Sequence, residues 1–301
     1  MRTLPEALVD AGKRGVALGH FNVADLVGFK AVVAAARELQ VPVMVGVSEG
    51  ERDFIGVREI AALVRAAREV YGIELYLNAD HTHSIEKVEE AARAGFDEIL
   101  FDPTPILADR YGASGSSKVL KENIELTKRA AATAKALAPG VVVEGEIGYI
   151  GSSSEIVAEV PPESLTLTTP EEAKRFVEAT GVDVLAPAVG NMHGLLVSMV
   201  KGDVKKRLNI ERIAAIKAAV ARPLTLHGGS GTADEDFVAA IEAGVAIIHV
   251  STELRVAWRR GVEEGLAAHP EEVAPYKLLP PAFDAIRAIV VRRLKLFNHL
   301  R

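Results

Sequence analysis

Eight times along the chain a short run of apolar, β-favouring residues is followed by a segment with apolar positions at helical spacing. The runs fall at 15–23, 41–47, 73–79, 98–102, 141–146, 182–187, 224–227 and 246–250. The helical patterns fall at 25–39, 56–71, 84–94, 118–137, 171–180, 209–221, 233–243 and 252–268, with a leading helix at 4–13 and a closing one at 282–299. Strand then helix, repeated, places strands parallel with helices crossing between them. Eight such units in 301 residues predict a (β/α)8 TIM barrel with extra terminal helices. No Pro/Ser-rich linker or shift of composition divides the chain, so residues 1–301 are expected to form a single barrel domain.

A barrel of this kind carries its chemistry at the C-terminal ends of its strands. The ends assigned by apolar pattern carry Asn22, Ser48, Asp80 with His81, Asp102, Glu146, Asn191 with His193, His227 and Ser251. Burying carboxylates and imidazoles at strand ends is costly without a task. The chain has no cysteine, which excludes disulfides, thiolate metal sites and a Cys nucleophile, and leaves imidazole and carboxylate as the metal donors. A net charge of -6 argues against a nucleic-acid surface yet permits a small phosphorylated ligand held by local donors. No apolar run approaches the ~20 residues that span a bilayer, and the N-terminus lacks the apolar core of a signal peptide. A cytoplasmic protein without nucleic-acid or membrane partners is expected.

His81, His193 and His227 end the third, sixth and seventh strands and converge on the barrel mouth, with Glu146 of the fifth as a fourth donor. Three neutral imidazoles with a carboxylate or an open position suit a zinc-type site that polarises a carbonyl oxygen. Asp80, beside a ligand, can exchange a proton with substrate or hold a ligand in place. His83 reads as a supporting or helix-start residue. Residues 227–231 read His-Gly-Gly-Ser-Gly before a helix, where backbone N–H groups can approach an anion, and Ser251 follows the eighth strand beside it. Residues 190–194 form another close-backbone loop, and the long loops 103–117 and 147–169 are lid candidates.

With these segments the chain resembles the class II, zinc-dependent ketose-bisphosphate aldolases. The likeness is carried by residues 19–23, 79–81, 143–148, 190–194, 226–231 and 251–254. It implies that His81, His193 and His227 bind Zn2+, with Glu146 ligating or neighbouring it, and that Asp80 handles the proton of the C4 hydroxyl. It further implies that Gly194, Gly228, Ser230 and Ser251 line a phosphate and monovalent-cation (Na+ or K+) site, and that Asn22 and Ser48 face substrate. The implied reaction is reversible cleavage of a ketose 1,6-bisphosphate, foremost fructose 1,6-bisphosphate, to dihydroxyacetone phosphate and glyceraldehyde 3-phosphate. A homodimer or homotetramer built through the C-terminal helices is expected. The chain departs from the family at the loop acid, where Glu155 lies one place late. It also departs at His249, where the family often has Asn, and at residues 275–277, where Pro-Tyr-Lys replaces Pro-Arg-Lys. Alternatives are a tagatose-bisphosphate or other sugar-phosphate aldolase and a non-catalytic sugar-phosphate binder. A metal-dependent hydrolase fits less well, because the His-x-His follows the third strand rather than the first.

Overall fold

The computed structural model describes residues 1–111, 117–151, 155–157, 166–201 and 204–300. The alternation closes as expected. After helix α1 (Leu4–Arg14) come β1 (Leu18–Asn22), α2 (Leu26–Leu39), β2 (Val43–Val47), α3 (Glu49–Ile55), α4 (Val57–Tyr71), β3 (Leu75–Thr82), α5 (Ile85–Ala94) and β4 (Glu98–Phe101). Next are α6 (Thr104–Tyr111), α7 (Ser117–Leu137), β5 (Val142–Ile147), β6 (Ile156–Val157), α8 (Pro170–Thr180), β7 (Val184–Pro187), β8 (Leu195–Leu196), α9 (Val197–Lys201) and α10 (Ile210–Val220). The chain ends with β9 (Leu224–Leu226), α11 (Asp234–Glu242), β10 (Val245–Val250), α12 (Thr252–Ala268), α13 (Pro275–Leu278) and α14 (Pro280–Phe297). Eight parallel strands form a closed barrel in the order β1-β10-β9-β7-β5-β4-β3-β2. Local chemistry sets the helix ends: Asp25 caps α2 by accepting the Gly28 N–H, Ser84 caps α5, and Gly95 ends α5 in the left-handed region.

Two apolar regions hold the barrel. Outward-facing strand residues such as Phe21, Val45, Leu77, Ile99 and Val143 pack against the surrounding helices. Inside, at the N-terminal end, α1 plugs the barrel: Leu4, Ala7, Leu8 and Ala11 meet Leu18, Met44, Tyr76, Val142 and Ile247. Above this plug the interior turns polar, and His20, Asn78, Glu98, Glu144, Thr225 and His249 are all buried there. The apolar floor lets the upper half devote its side chains to chemistry. Among the described residues no helix is long and apolar enough to cross a membrane.

Several elements differ from the sequence expectation. β3 does not stop before Asp80 but continues to Thr82, and its register against β4 slips between Ala79 and Thr82. The slip leaves His81 at φ +43°, a left-handed conformation that re-aims its side chain. The 103–117 segment is not an open loop: α6 occupies its first half, and residues 112–116 lie outside the described residues. In the 147–169 loop, β6 pairs in parallel with β8 and ties the loop to the segment after β7; residues 152–154 and 158–165 lie outside the described residues.

Candidate metal and substrate site

At the mouth, β3, β5 and the segments after β7 and β9 bring His81, Glu146, His193 and His227 together, each offering a donor atom within 4.8 Å of the others. The donor set fits a divalent metal on its own chemistry. Glu146 Oε2, His193 Nε2 and His227 Nδ1 are buried without a hydrogen-bond partner, an expensive arrangement for a protein that binds nothing there. His81 joins them through Nε2, because its Nδ1 lies 3.0 Å from Asp102 Oδ2.

Two acids hold the imidazoles. Asp102 accepts from His81 Nδ1 on one oxygen and from the Thr104 N–H, at 2.8 Å, on the other. Glu144 Oε1 accepts from His227 Nε2 at 2.8 Å, which leaves His227 Nδ1 for the cluster, while its other oxygen accepts from Thr225 at 2.9 Å. Each carboxylate therefore selects which ring nitrogen faces the donor cluster. Glu144 and Glu146, two apart on β5, share the inward face, so the Glu-Gly-Glu sequence supplies one orienting acid and one donor. His83 supports from the side: its Nδ1 lies 2.7 Å from the Asp102 carbonyl oxygen.

The electrostatics follow from crowding charge in a buried space. Burial works against a charged His81, yet Asp80, Asp102 and Glu146 together hold its pKa up to about 10. Burial and the charge of His81 keep His227 neutral, with a pKa near 3, and push His193 well below its usual value. Burial, then the like charge of Asp102, drives Glu146 well above the carboxylate range. Burial pushes the same way on Asp80, but the charge of His81 and the neighbouring His249 and His20 outweigh it and hold Asp80 well below its usual value.

Asp80 is 5% exposed and is aimed by Asn22, whose Nδ2 donates to Asp80 Oδ2 at 2.8 Å and to Glu51 at 3.0 Å. Its other oxygen has no hydrogen-bond partner and lies 3.8 Å from His81 Nε2 and 3.4 Å from His249 Nδ1. His249 stacks on His20 at 3.4 Å, almost parallel. Behind the acid, Arg52 is buried and donates to the carbonyls of Val47 and Asp80 and to Thr82 Oγ1, pinning the β3 end that carries Asp80.

Beside Asp80 a small pocket is lined by Gly194, Gly228, Ser230 and Ser251. Gly228 is required there: its φ is +59°, and a Cβ would stand 2.2 Å from the Met192 carbonyl oxygen. Ser230 Oγ accepts from the backbone N–H groups of Ser251 and Glu253 at 3.3 and 3.2 Å, whereas Ser251 Oγ is buried and unpartnered. Lys206 lies under this pocket with its Nζ on the carbonyls of Met192, Gly194 and Gly228, and burial lowers its pKa to about 7. Adjoining the pocket, and sharing Asn22, Asp80 and His193 in its lining, a cleft of about 470 Å³ opens to solvent, lined further by Ser48, Glu155 and Arg255 among others. Ser48 also begins α3, its N–H donating to Glu51 at 2.8 Å.

The chain as a whole has known counterparts. The family model of class II fructose-bisphosphate aldolase matches residues 2–300. The chain belongs to that family. It is 33% identical over 299 residues to the probable fructose-bisphosphate aldolase of Bacillus subtilis (strain 168), covering 98% of this chain and 97% of that one. It is 35% identical over 295 residues to the 6-phospho-5-dehydro-2-deoxy-D-gluconate aldolase of Shouchella clausii (strain KSM-K16), covering 97% and 92%. Among solved structures, the YdjI aldolase from Escherichia coli K12 superposes with a TM-score of 0.77 at 27% identity, over 97% of this chain and 95% of that one. The family and its named members make this chain a class II aldolase, a carbon–carbon lyase of a metal-dependent class acting on sugar phosphates.

The residues picked from the sequence converge: Asn22, Asp80, His81, His193 and Glu155 line one cleft, and Gly194, Gly228, Ser230 and Ser251 line the adjoining pocket. Residues 152–154 of the loop before Glu155 lie outside the described residues. Sequence reasoning missed Glu144, although the i, i+2 spacing from Glu146 on one strand was a usable signal. It also missed Lys206, for which a lysine in a basic stretch gives no signal at all.

Proposed function

We propose that the chain is a zinc-dependent aldolase that reversibly cleaves fructose 1,6-bisphosphate, or its C4 epimer tagatose 1,6-bisphosphate, to dihydroxyacetone phosphate and glyceraldehyde 3-phosphate. We place it in the cytoplasm as a homodimer or homotetramer. The observation that carries the reading is the pairing of a four-donor cluster with one free, ionised oxygen of Asp80 beside it. His81, His193 and His227 with Glu146 would hold the ion, and a bound divalent metal supplies Lewis-acid stabilisation to oxygen charge developing on the substrate. Asp80 takes the C4 hydroxyl proton as the C3–C4 bond breaks: C4 becomes the aldehyde carbonyl, and the bonding pair passes to the C2–C3 enediolate. Asn22 keeps the second oxygen of Asp80 occupied and so directs the first at substrate. In this reading Gly194, Gly228, Ser230 and Ser251 seat the phosphate on C1, and Glu155, which lines the cleft, is the candidate to return a proton to C3.

A second reading concerns the far end of the substrate. Among the described residues that line the cleft, Arg255 is the sole lysine or arginine, it already bonds Glu51 at 2.8 Å, and the acids Glu49, Asp109 and Glu155 share the lining. Such a lining favours a ketose 1-phosphate with an uncharged distal end, still within the aldolase class.

Asp80→Asn separates the steps. The variant should lose cleavage by about 10²–10⁴-fold, while continuing to exchange the C3 proton of dihydroxyacetone phosphate with solvent deuterium, since that step needs no C4 hydroxyl. Retained cleavage would remove Asp80 from its role.

A further inference from the structure

Lys206 is only 4% exposed, and its side chain ends on three backbone carbonyls. Nζ donates to Met192 O at 2.6 Å, Gly194 O at 2.7 Å and Gly228 O at 3.0 Å. Three acceptors use all three N–H bonds of an ammonium, one more than a neutral amine could donate, and this favours the charged form against the burial that lowers the Lys206 pKa to about 7. The carbonyls belong to the residues on either side of His193 and to the residue after His227, so one group grips both histidine-bearing segments. Converging backbone carbonyls at such distances also form the type of cage that replaces the hydration shell of a monovalent metal ion. The backbone of Lys206 is itself fixed: its N–H donates to Gly231 O at 2.9 Å and its carbonyl accepts from Ala233 at 3.2 Å. The ammonium is thus delivered from a clamped segment to a point beneath the two glycines that line the anion pocket.

We propose that the Lys206 ammonium is the protein's own monovalent cation. It occupies the carbonyl cage between the His193 and His227 segments, holds them in register, and lends its charge to the pocket that takes the C1 phosphate. Lys206 is a positioning residue, and the chain needs no free Na+ or K+, contrary to what the sequence resemblance implied. The activity part of this inference rests on the aldolase reading, whereas the stability part does not.

Metal-loaded wild-type protein is compared at equal ionic strength in K+, Na+, ammonium and the bulky tetramethylammonium ion, with cleavage rate and melting temperature as readouts. Both should be the same in all four. The Lys206→Met and Lys206→Gln variants should lose most activity and melt earlier in tetramethylammonium, with both properties rising in K+ or ammonium as the ion fills the vacated cage. The inference fails if the wild-type protein is activated several-fold, or melts higher, in K+ or Na+ than in tetramethylammonium. It fails equally if the variants match the wild-type protein in tetramethylammonium. If the variants do not fold, the wild-type comparison decides; if no substrate is cleaved, the melting temperatures decide.

Discussion

Asp102 is the residue on which metal affinity can be separated from stability. Its two oxygens accept from two different donors, His81 Nδ1 at 3.0 Å and the Thr104 N–H at 2.8 Å. Asp102→Asn keeps the shape but leaves one acceptor oxygen. The Thr104 N–H is a fixed donor and takes it, so the amide NH2 turns to His81 Nδ1. That nitrogen must then accept, which moves the ring proton to Nε2, where the metal should bind. Disrupting such an orienting partner typically costs 10–100-fold in metal affinity, about 1.4–2.7 kcal/mol. Asp102→Ala imposes no wrong tautomer but strands the Thr104 N–H, a stability loss of about 1–3 kcal/mol. The two variants should therefore cross: both fall below the wild-type protein, because both lose the Asp102 charge beside His81, but Asn is the more stable of the two and the weaker metal binder, Ala the reverse. Zinc competition with a chromophoric chelator gives the affinities and urea unfolding the stabilities. An Asn variant with wild-type zinc affinity would refute the claim that Asp102 sets the His81 tautomer.

Metal binding should release protons. His81, with a pKa near 10 in the metal-free chain, carries a proton at pH ~8 that a metal must displace, so apparent affinity rises with pH up to about 10. The same shift adds stability to the metal-free chain, because the folded pKa lies above the unfolded value of 6.5; that contribution is complete below 6.5 and is lost as pH rises through about 10. Titration calorimetry in buffers of different ionisation enthalpy should count at least one proton released per metal; a count of zero would contradict the charge assignment. Gly46→Ala would place a Cβ 2.0 Å from His20 Cε1, and His20 cannot retreat because His249 stacks on it at 3.4 Å. A loss of roughly 1–3 kcal/mol is expected in urea unfolding, and an unchanged midpoint would show the stack to be mobile.

The barrel was legible because its strands are buried on both faces and so read as short apolar runs, each followed by an amphipathic helix. The convergence of His81, Glu146 and His227 was legible because a strand end interrupts apolar sequence with His or Glu, and that of His193 because it follows a glycine-bearing loop after β7. What the pattern could not show is three-dimensional in origin. The extension of β3 through Asp80 to Thr82 depends on a register slip against β4, and polar residues at the end of a strand read locally as the start of a loop. The stack of His20 on His249 arises because β1 and β10 become neighbours only when the barrel closes, their Cα atoms meeting in register. Lys206 acts on carbonyls 12–22 residues away, an interaction with no periodicity. Glu144 was within reach, since it shares its strand face with Glu146.

The account's central claim is that a metal held by His81, His193, His227 and Glu146 and a proton taken by Asp80 together break a ketose phosphate at C3–C4. The most direct measurement is cleavage of fructose 1,6-bisphosphate and tagatose 1,6-bisphosphate by zinc-loaded and by chelator-stripped protein, with product dihydroxyacetone phosphate as the readout. The account predicts cleavage of at least one sugar that disappears on stripping and returns with zinc. Cleavage that survives complete removal of the metal would contradict it.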